Sequence, residues 1–222
     1  WRVTNTGAPV LDEIKSLRPI PAVQLSETVG FDLTQPTVLV AWHPVTLERR
    51  DVGAQTDALL GALREAGHQV VLTYPNNDPG SSEIIQRFEA FVAQRGDTAR
   101  LFKSAGMDMF VSLMAAARCI AGNSSAGIVE ATVLDLPAVN IGSRQDGKER
   151  ADNIIETGYD QSEISDALRL AFTADFHTKA KKAQSPYGDG RAGSRICEVL
   201  RTASLDDRLL RKKFHDFPMV AA

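Results

Sequence analysis

Five short runs of this chain, 37–42, 69–74, 99–102, 119–121 and 138–141, are apolar on consecutive positions and not on alternate ones. A strand with one face in water alternates apolar and polar residues. A strand covered on both faces does not, and such strands belong to parallel sheets. The runs are rich in β-branched residues and end in turn-forming chemistry. Between them lie helical stripes. Ala58, Leu59, Leu60, Ala62, Leu63 and Ala66 end at Gly67, a natural helix stop. Ile84, Ile85, Phe88, Phe91 and Val92 are opened by Ser81 and Ser82 and closed by Gly96. Phe110, Val111, Leu113 and Met114 form a third stripe, and a fourth helix is predicted from the Asn123–Ser125 turn to about Leu134.

Strand and helix alternating at this spacing predict an α/β fold, a Rossmann-like parallel sheet with helices on both faces. Right-handed crossovers bring the carboxyl ends of all five strands to one edge. Ligands of such sheets sit outside that edge, where strand turns into helix. Around this body, Arg2 to Thr4 reads as a short strand, Val10 to Leu17 as a helix, and the chain beyond Gln161 as helices, the last from Leu205 to Phe214. Tyr187-Gly188-Asp189-Gly190 reads as a turn whose Asp189 caps the helix after it.

Composition narrows the function. The 222 residues carry a net charge of -3 and hold no basic run, so no nucleic-acid partner is expected. No apolar stretch approaches the ~20 residues of a membrane span, and no signal peptide is read. The two cysteines, Cys119 and Cys197, have no CxxC or Cys/His spacing, so neither a metal nor a cofactor is expected. Both read as reduced thiols, and the location as cytoplasmic.

The post-strand segments carry the site. In Gly122-Asn123-Ser124-Ser125-Ala126-Gly127 small residues open onto a helix start. Unpartnered amides and the hydroxyls of Ser124 and Ser125 form a cradle for a diphosphate, or else a serine cap on an ordinary helix. Glu130, further along, accepts from ribose hydroxyls or is a solvated carboxylate. Arg144, after the run ending at Ile141, pairs with phosphate through its planar fork or lies on the rim without a fixed partner. His43, held extended by Pro44, donates to phosphate or moves a proton, or else is a turn histidine bonded to backbone.

Five segments, Trp42-His43-Pro44-Val45-Thr46, Tyr74-Pro75-Asn76-Asn77-Asp78-Pro79-Gly80, residues 122–131, Val139-Asn140-Ile141-Gly142-Ser143-Arg144-Gln145 and Tyr187-Gly188-Asp189-Gly190, occur in that order. Together they resemble the hydrolysing UDP-N-acetylglucosamine 2-epimerases. The non-hydrolysing enzymes fit less well, since they carry a His-Arg-Arg-Glu run where this chain has His43-Pro44-Val45-Thr46.

The resemblance implies a GT-B architecture: two Rossmann-like domains with a nucleotide sugar between them, this chain being the C-terminal half. Residues 1–36 would form the inter-domain connection, 37–175 the UDP-binding domain, and 176–222 helices crossing back to an N-terminal domain absent here. Ser124 and Ser125 would hold the diphosphate and Glu130 the ribose. Arg144, His43 and Asn76 would line the UDP site, backbone near Ala105 would meet uracil, and His43 is the one candidate catalytic residue. The implied reaction gives UDP and N-acetylmannosamine for sialic-acid-type sugar synthesis. The implied partners are a UDP-sugar, the missing domain and further copies of the same chain. The isolated chain is expected to bind UDP weakly and not to turn over. Ser82 stands where the animal enzymes have a lysine that helps bind a feedback inhibitor, so such inhibition is not implied. Two other readings share the pattern: the nucleotide-sugar domain of a GT-B glycosyltransferase, and a non-catalytic nucleotide-binding module.

Overall fold

The computed structural model describes residues 3–211. Six strands form one sheet: β1 (Thr37–Ala41), β2 (Gln69–Thr73), β3 (Ala99–Phe102), β4 (Cys119–Gly122), β5 (Ala138–Ile141) and β6 (Ile154–Thr157). Their order is β3-β2-β1-β4-β5-β6, and every pairing is parallel. This is the Rossmann order, which reverses direction between β1 and β4. The five expected strands are present. The sixth escaped the sequence reading because it is an edge strand, half-covered, and carries only Ile154 and Ile155 as apolar residues.

Side chains alternate across the sheet, so each strand feeds two cores. Val38, Val40 and Trp42 join Leu72 and Ile141 on one face, under α3 (Val52–Ala66), α4 (Ser81–Arg95) and α6 (Gln161–Ala171). Leu39, Ala41 and Val71 face the other way, under α2 (Ala22–Val29) and α5 (Gly106–Ala116). Trp42 is 1% exposed, and its indole N–H donates to Thr56 Oγ1 at 3.1 Å, so the largest core side chain leaves no polar atom unpaired. Cys119 is free and buried, and burial pushes its thiol up to about 12, as expected of a small core hydrophobe.

Residues before β1 pack on this body. α1 (Val10–Ser16) buries Leu11 and Ile14 against Val111, and α2 buries Leu25 and Val29. Val3 and Thr4 are not in a strand, and Arg2 lies outside the described residues. After the sheet come α7 (Ala174–Ala180), α8 (Ala192–Thr202) and α9 (Asp207–Leu210). Of the helix expected from Leu205 to Phe214, only α9 is helical; Leu205, Asp206 and Arg211 are not, and 212–214 lie outside the described residues.

Two local expectations are corrected. Asp189 does not cap α8. Its carboxylate takes both Arg195 nitrogens, at 2.7 and 2.8 Å, and is drawn down to about 2 by that contact. The cap comes from α1: Asp12 accepts from the amides of Ala192 and Gly193 at 2.9 and 2.7 Å. An acceptor 180 residues away in the chain cannot be seen by local spacing. The fourth helix is not continuous either. Three-ten turns at Ser125–Gly127 and Ala131–Leu134 flank a turn at 128–130. Gly127 and the β-branched Ile128, Val129, Thr132 and Val133 are weak helix formers, and Asp135, at φ 54, ends the segment.

Candidate functional site

The reversal in strand order opens the carboxyl edge between β1 and β4, because the chains leaving those two strands run to opposite sides. The residue after each strand meets the other there. His43 N–H donates to Asn123 Oδ1, and Asn123 Nδ2 donates to the His43 carbonyl, both at 2.8 Å. Asn123 is fully buried. Its own carbonyl accepts from Arg144 Nη1 at 3.1 Å and from Gln145 Nε2 at 2.8 Å. Three post-strand loops, after β1, β4 and β5, are thus tied at one residue. A fourth joins through the imidazole: the Asn76 amide, after β2, donates to His43 Nδ1 at 3.1 Å.

That last bond settles the tautomer. A ring nitrogen that accepts carries no proton, so the neutral imidazole of His43 is protonated on Nε2 and presents an N–H. Burial first, and the Arg144 guanidinium second, push its pKa from 6.5 down to about 4, against the pull of the Asp78 carboxylate. His43 is therefore a neutral donor at pH 7. Folding favours the neutral ring, so the stability it contributes is complete above pH 6.5 and is lost as pH falls towards 4, at most about 3 kcal/mol. Urea unfolding at pH 7.5 and 4.5 should show a larger loss for the parent chain than for His43→Gln; equal losses would contradict this assignment.

A second bridge spans the same edge. Glu48, in the three-ten segment Thr46–Asp51 after β1, accepts from the Ser143 hydroxyl after β5 and from Gln55 Nε2 at 2.7 Å. The Ser143 contact, with smaller help from Tyr159 and Gln55, holds the Glu48 carboxyl below its usual range despite partial burial. Tyr159 completes the link, its hydroxyl accepting from the Ser143 amide at 3.2 Å.

The segments after β1, β2, β4 and β5 line a pocket of about 460 Å³ that includes Thr46, Leu47, Asp78, Ser125, Arg144, Gln145 and Lys148. Its size suits a small polar ligand. Arg144 and Lys148 form no ion pair with a carboxylate among the described residues. Ser124 caps the following turn, its hydroxyl accepting from the Ala126 amide at 3.3 Å. The amides of Ser124 and Ser125 have no protein partner among the described residues. A turn with free amides, a guanidinium that pairs with no carboxylate and a neutral imidazole N–H outnumber the one carboxylate lining the pocket among the described residues, Asp78, which suits an anion.

The sequence-derived residues fall into two groups. His43, Asn76, Ser124, Ser125 and Arg144 meet where β1 and β4 part. Ala105 lies on the same edge but two strands away, at the start of α5 after β3. Glu130 lies in the turn at 128–130, between the two three-ten segments. It is half-buried, one carboxyl oxygen has no partner, and burial raises its pKa against its own amide and the Lys148 ammonium. It is not a solvated helix carboxylate. Asn123, Gln145, Glu48 and Lys148 were given no role by the sequence reading. A buried asparagine directly after a strand was the one legible signal, and its partner His43 lies 80 residues away.

The sequence profile for UDP-N-acetylglucosamine 2-epimerases matches residues 1–201. The chain belongs to that family. It is 30% identical over 211 residues to the UDP-N,N'-diacetylbacillosamine 2-epimerase (hydrolyzing) of Legionella pneumophila, covering 95% of this chain and 54% of the relative. It is 31% identical over 220 residues to the UDP-N-acetylglucosamine 2-epimerase of Neisseria meningitidis serogroup B, covering 96% and 52%. Among solved structures, the Neisseria meningitidis UDP-GlcNAc 2-epimerase bound to UDP-GlcNAc superposes with a TM-score of 0.71 at 19% identity, covering 89% of this chain and 55% of that one. The chain spans about half the length of the curated relatives it matches. Its sheet and helices are the Rossmann-like half of a GT-B fold. Among the described residues no helix is long and apolar enough to cross a membrane.

Proposed function

We propose that this chain is the UDP-binding half of a hydrolysing 2-epimerase acting on a UDP-2-acetamido sugar. The observation that carries the reading is the meeting of the His43, Asn123 and Arg144 loops where the strand order reverses. The diphosphate lies over the free amides of Ser124 and Ser125, with Arg144 and His43 Nε2–H donating to it. Asn76 lines the site, Glu130 takes the ribose hydroxyls, and backbone near Ala105 meets the uracil. The sugar projects away from the sheet edge towards a second domain outside this chain.

In the reaction the C2 proton is removed and the C1–O bond breaks, leaving a 2-acetamidoglucal and UDP. Water then adds across the double bond to give the free 2-epimer. UDP leaves as an anion, so donors already aimed at its phosphates stabilise the charge as it develops. His43 serves here as a donor. With Nε2 protonated and Nδ1 occupied, it has no free nitrogen to accept the C2 proton. The acid and base carboxylates belong to the other domain, so the isolated chain binds without turning over. The complete protein is a homo-oligomer in the cytoplasm, feeding sialic-acid-type sugar synthesis.

The relatives' names cover both N-acetylglucosamine and a diacetamido sugar, and residues that read UDP do not choose between them. Calorimetry of this chain with UDP should give binding that weakens at least tenfold in a Ser124→Ala, Ser125→Ala double variant. Unchanged affinity would remove the diphosphate assignment. The full-length protein should release UDP and a free epimerised sugar from one of the two UDP-sugars. Transfer of the sugar to an acceptor would instead support a glycosyltransferase, and tight UDP binding without turnover in the complete protein would support a binding module.

A further inference from the structure

Arg144 and Gln145 are neighbours in the chain, yet both donate to one atom, the carbonyl oxygen of Asn123. A carbonyl has two lone pairs, so the two bonds coexist. Their surroundings differ. Both residues line the pocket, but Arg144 is half-exposed and has no carboxylate partner among the described residues. Gln145 is 3% exposed, and its orientation is fixed because only the NH2 group can face a carbonyl. Asn123 is fully buried, so water does not replace a lost donor.

We propose that Gln145 is a positioning residue that frees Arg144 for the ligand. In the unliganded chain the guanidinium rests on the Asn123 carbonyl. When an anion enters, Arg144 turns to it, and the Gln145 amide keeps that carbonyl paired. Without Gln145, every departure of Arg144 would strand a buried acceptor. The same carbonyl belongs to the residue whose side chain clamps the His43 backbone, so Gln145 also keeps the β1 loop in place while Arg144 moves. The inference rests on the diphosphate reading given above, but it needs only that the ligand be an anion of that class.

Gln145→Met keeps length and volume and removes the donor. The expected result is a split. The unliganded variant melts close to the parent, since Arg144 still holds the carbonyl, while affinity for UDP falls about tenfold. A purely structural role predicts the reverse, a lower melting temperature with unchanged affinity, and that outcome would overturn the proposal. The parent chain offers a check that needs no variant. On titration with UDP, the side-chain NMR signals of Arg144 should shift while the Gln145 NH2 pair stays. If the Gln145 signals move as far as those of Arg144, the proposal fails. Inorganic pyrophosphate separates the two readings. Binding of pyrophosphate with the Arg144 shift, but not of UDP, would sink the nucleotide assignment and leave the role of Gln145 standing. Binding of neither probe overturns both.

Discussion

Gly122→Ala should lower the melting temperature by roughly 10 °C or more, or leave the chain unfolded. Gly122 ends β4 at φ +138, a region that side-chain-bearing residues rarely adopt. A Cβ there would lie 2.1 Å from the backbone oxygen of Ala41 and 2.8 Å from its carbonyl carbon. Ala41 is the register partner of Gly122 across the β1–β4 pairing. Nothing soft lies in the way that could move aside, so relief requires prising apart the two central strands. The cost is of the order of 4 kcal/mol, the range of a severe backbone or packing lesion. Gly67→Ala is the matched control. It also has positive φ, +69, but open space where the Cβ would go. It should cost only about 1 kcal/mol. If differential scanning calorimetry finds the two variants within a few degrees of each other, the close approach at Gly122 is not what requires glycine there.

The second large effect is on binding. Arg144→Ala should weaken UDP by about 10- to 100-fold, equivalent to one charge-assisted contact of about 1.5–3 kcal/mol. Its melting temperature should barely change, because Gln145 still holds the Asn123 carbonyl. Arg144→Lys should recover only part of the loss, since an ammonium supplies the charge but not the planar fork that meets two phosphate oxygens. Parent affinity should also fall with added salt more steeply than that of the alanine variant. Calorimetry at two ionic strengths reads all of this. Equal UDP affinity in parent and Arg144→Ala would exclude the guanidinium from the site.

Unbroken apolar runs such as 37–42 identified buried parallel strands, because a strand covered on both faces needs apolar residues on both. Gly67 and Gly96 marked helix stops because a residue without a Cβ takes the positive φ that ends a helix, and both do. β6 was invisible because a half-covered edge needs little hydrophobicity. The segment after Ser125 was misread as one helix because its apolar spacing outweighed the poor propensity of Gly127 and its β-branched neighbours. The turn of small residues at Asn123 to Ser125 was legible as a strand-to-turn junction, while the burial of Asn123 and its pairing with His43 were not.

Local pattern, in short-range physics, determined most of the strands and helices and which turns follow the strands. Tertiary structure alone decided how the ends combine. The strand order brought His43 beside Asn123, 80 residues on, and turned a histidine at a strand end into a neutral Nε2–H donor. It set Arg144 and Gln145 on one carbonyl, and gave α8 its cap from Asp12. Charge state, tautomer and pairing depend on which groups lie within about 3 Å. Chain spacing does not encode that distance until the sheet has been assembled.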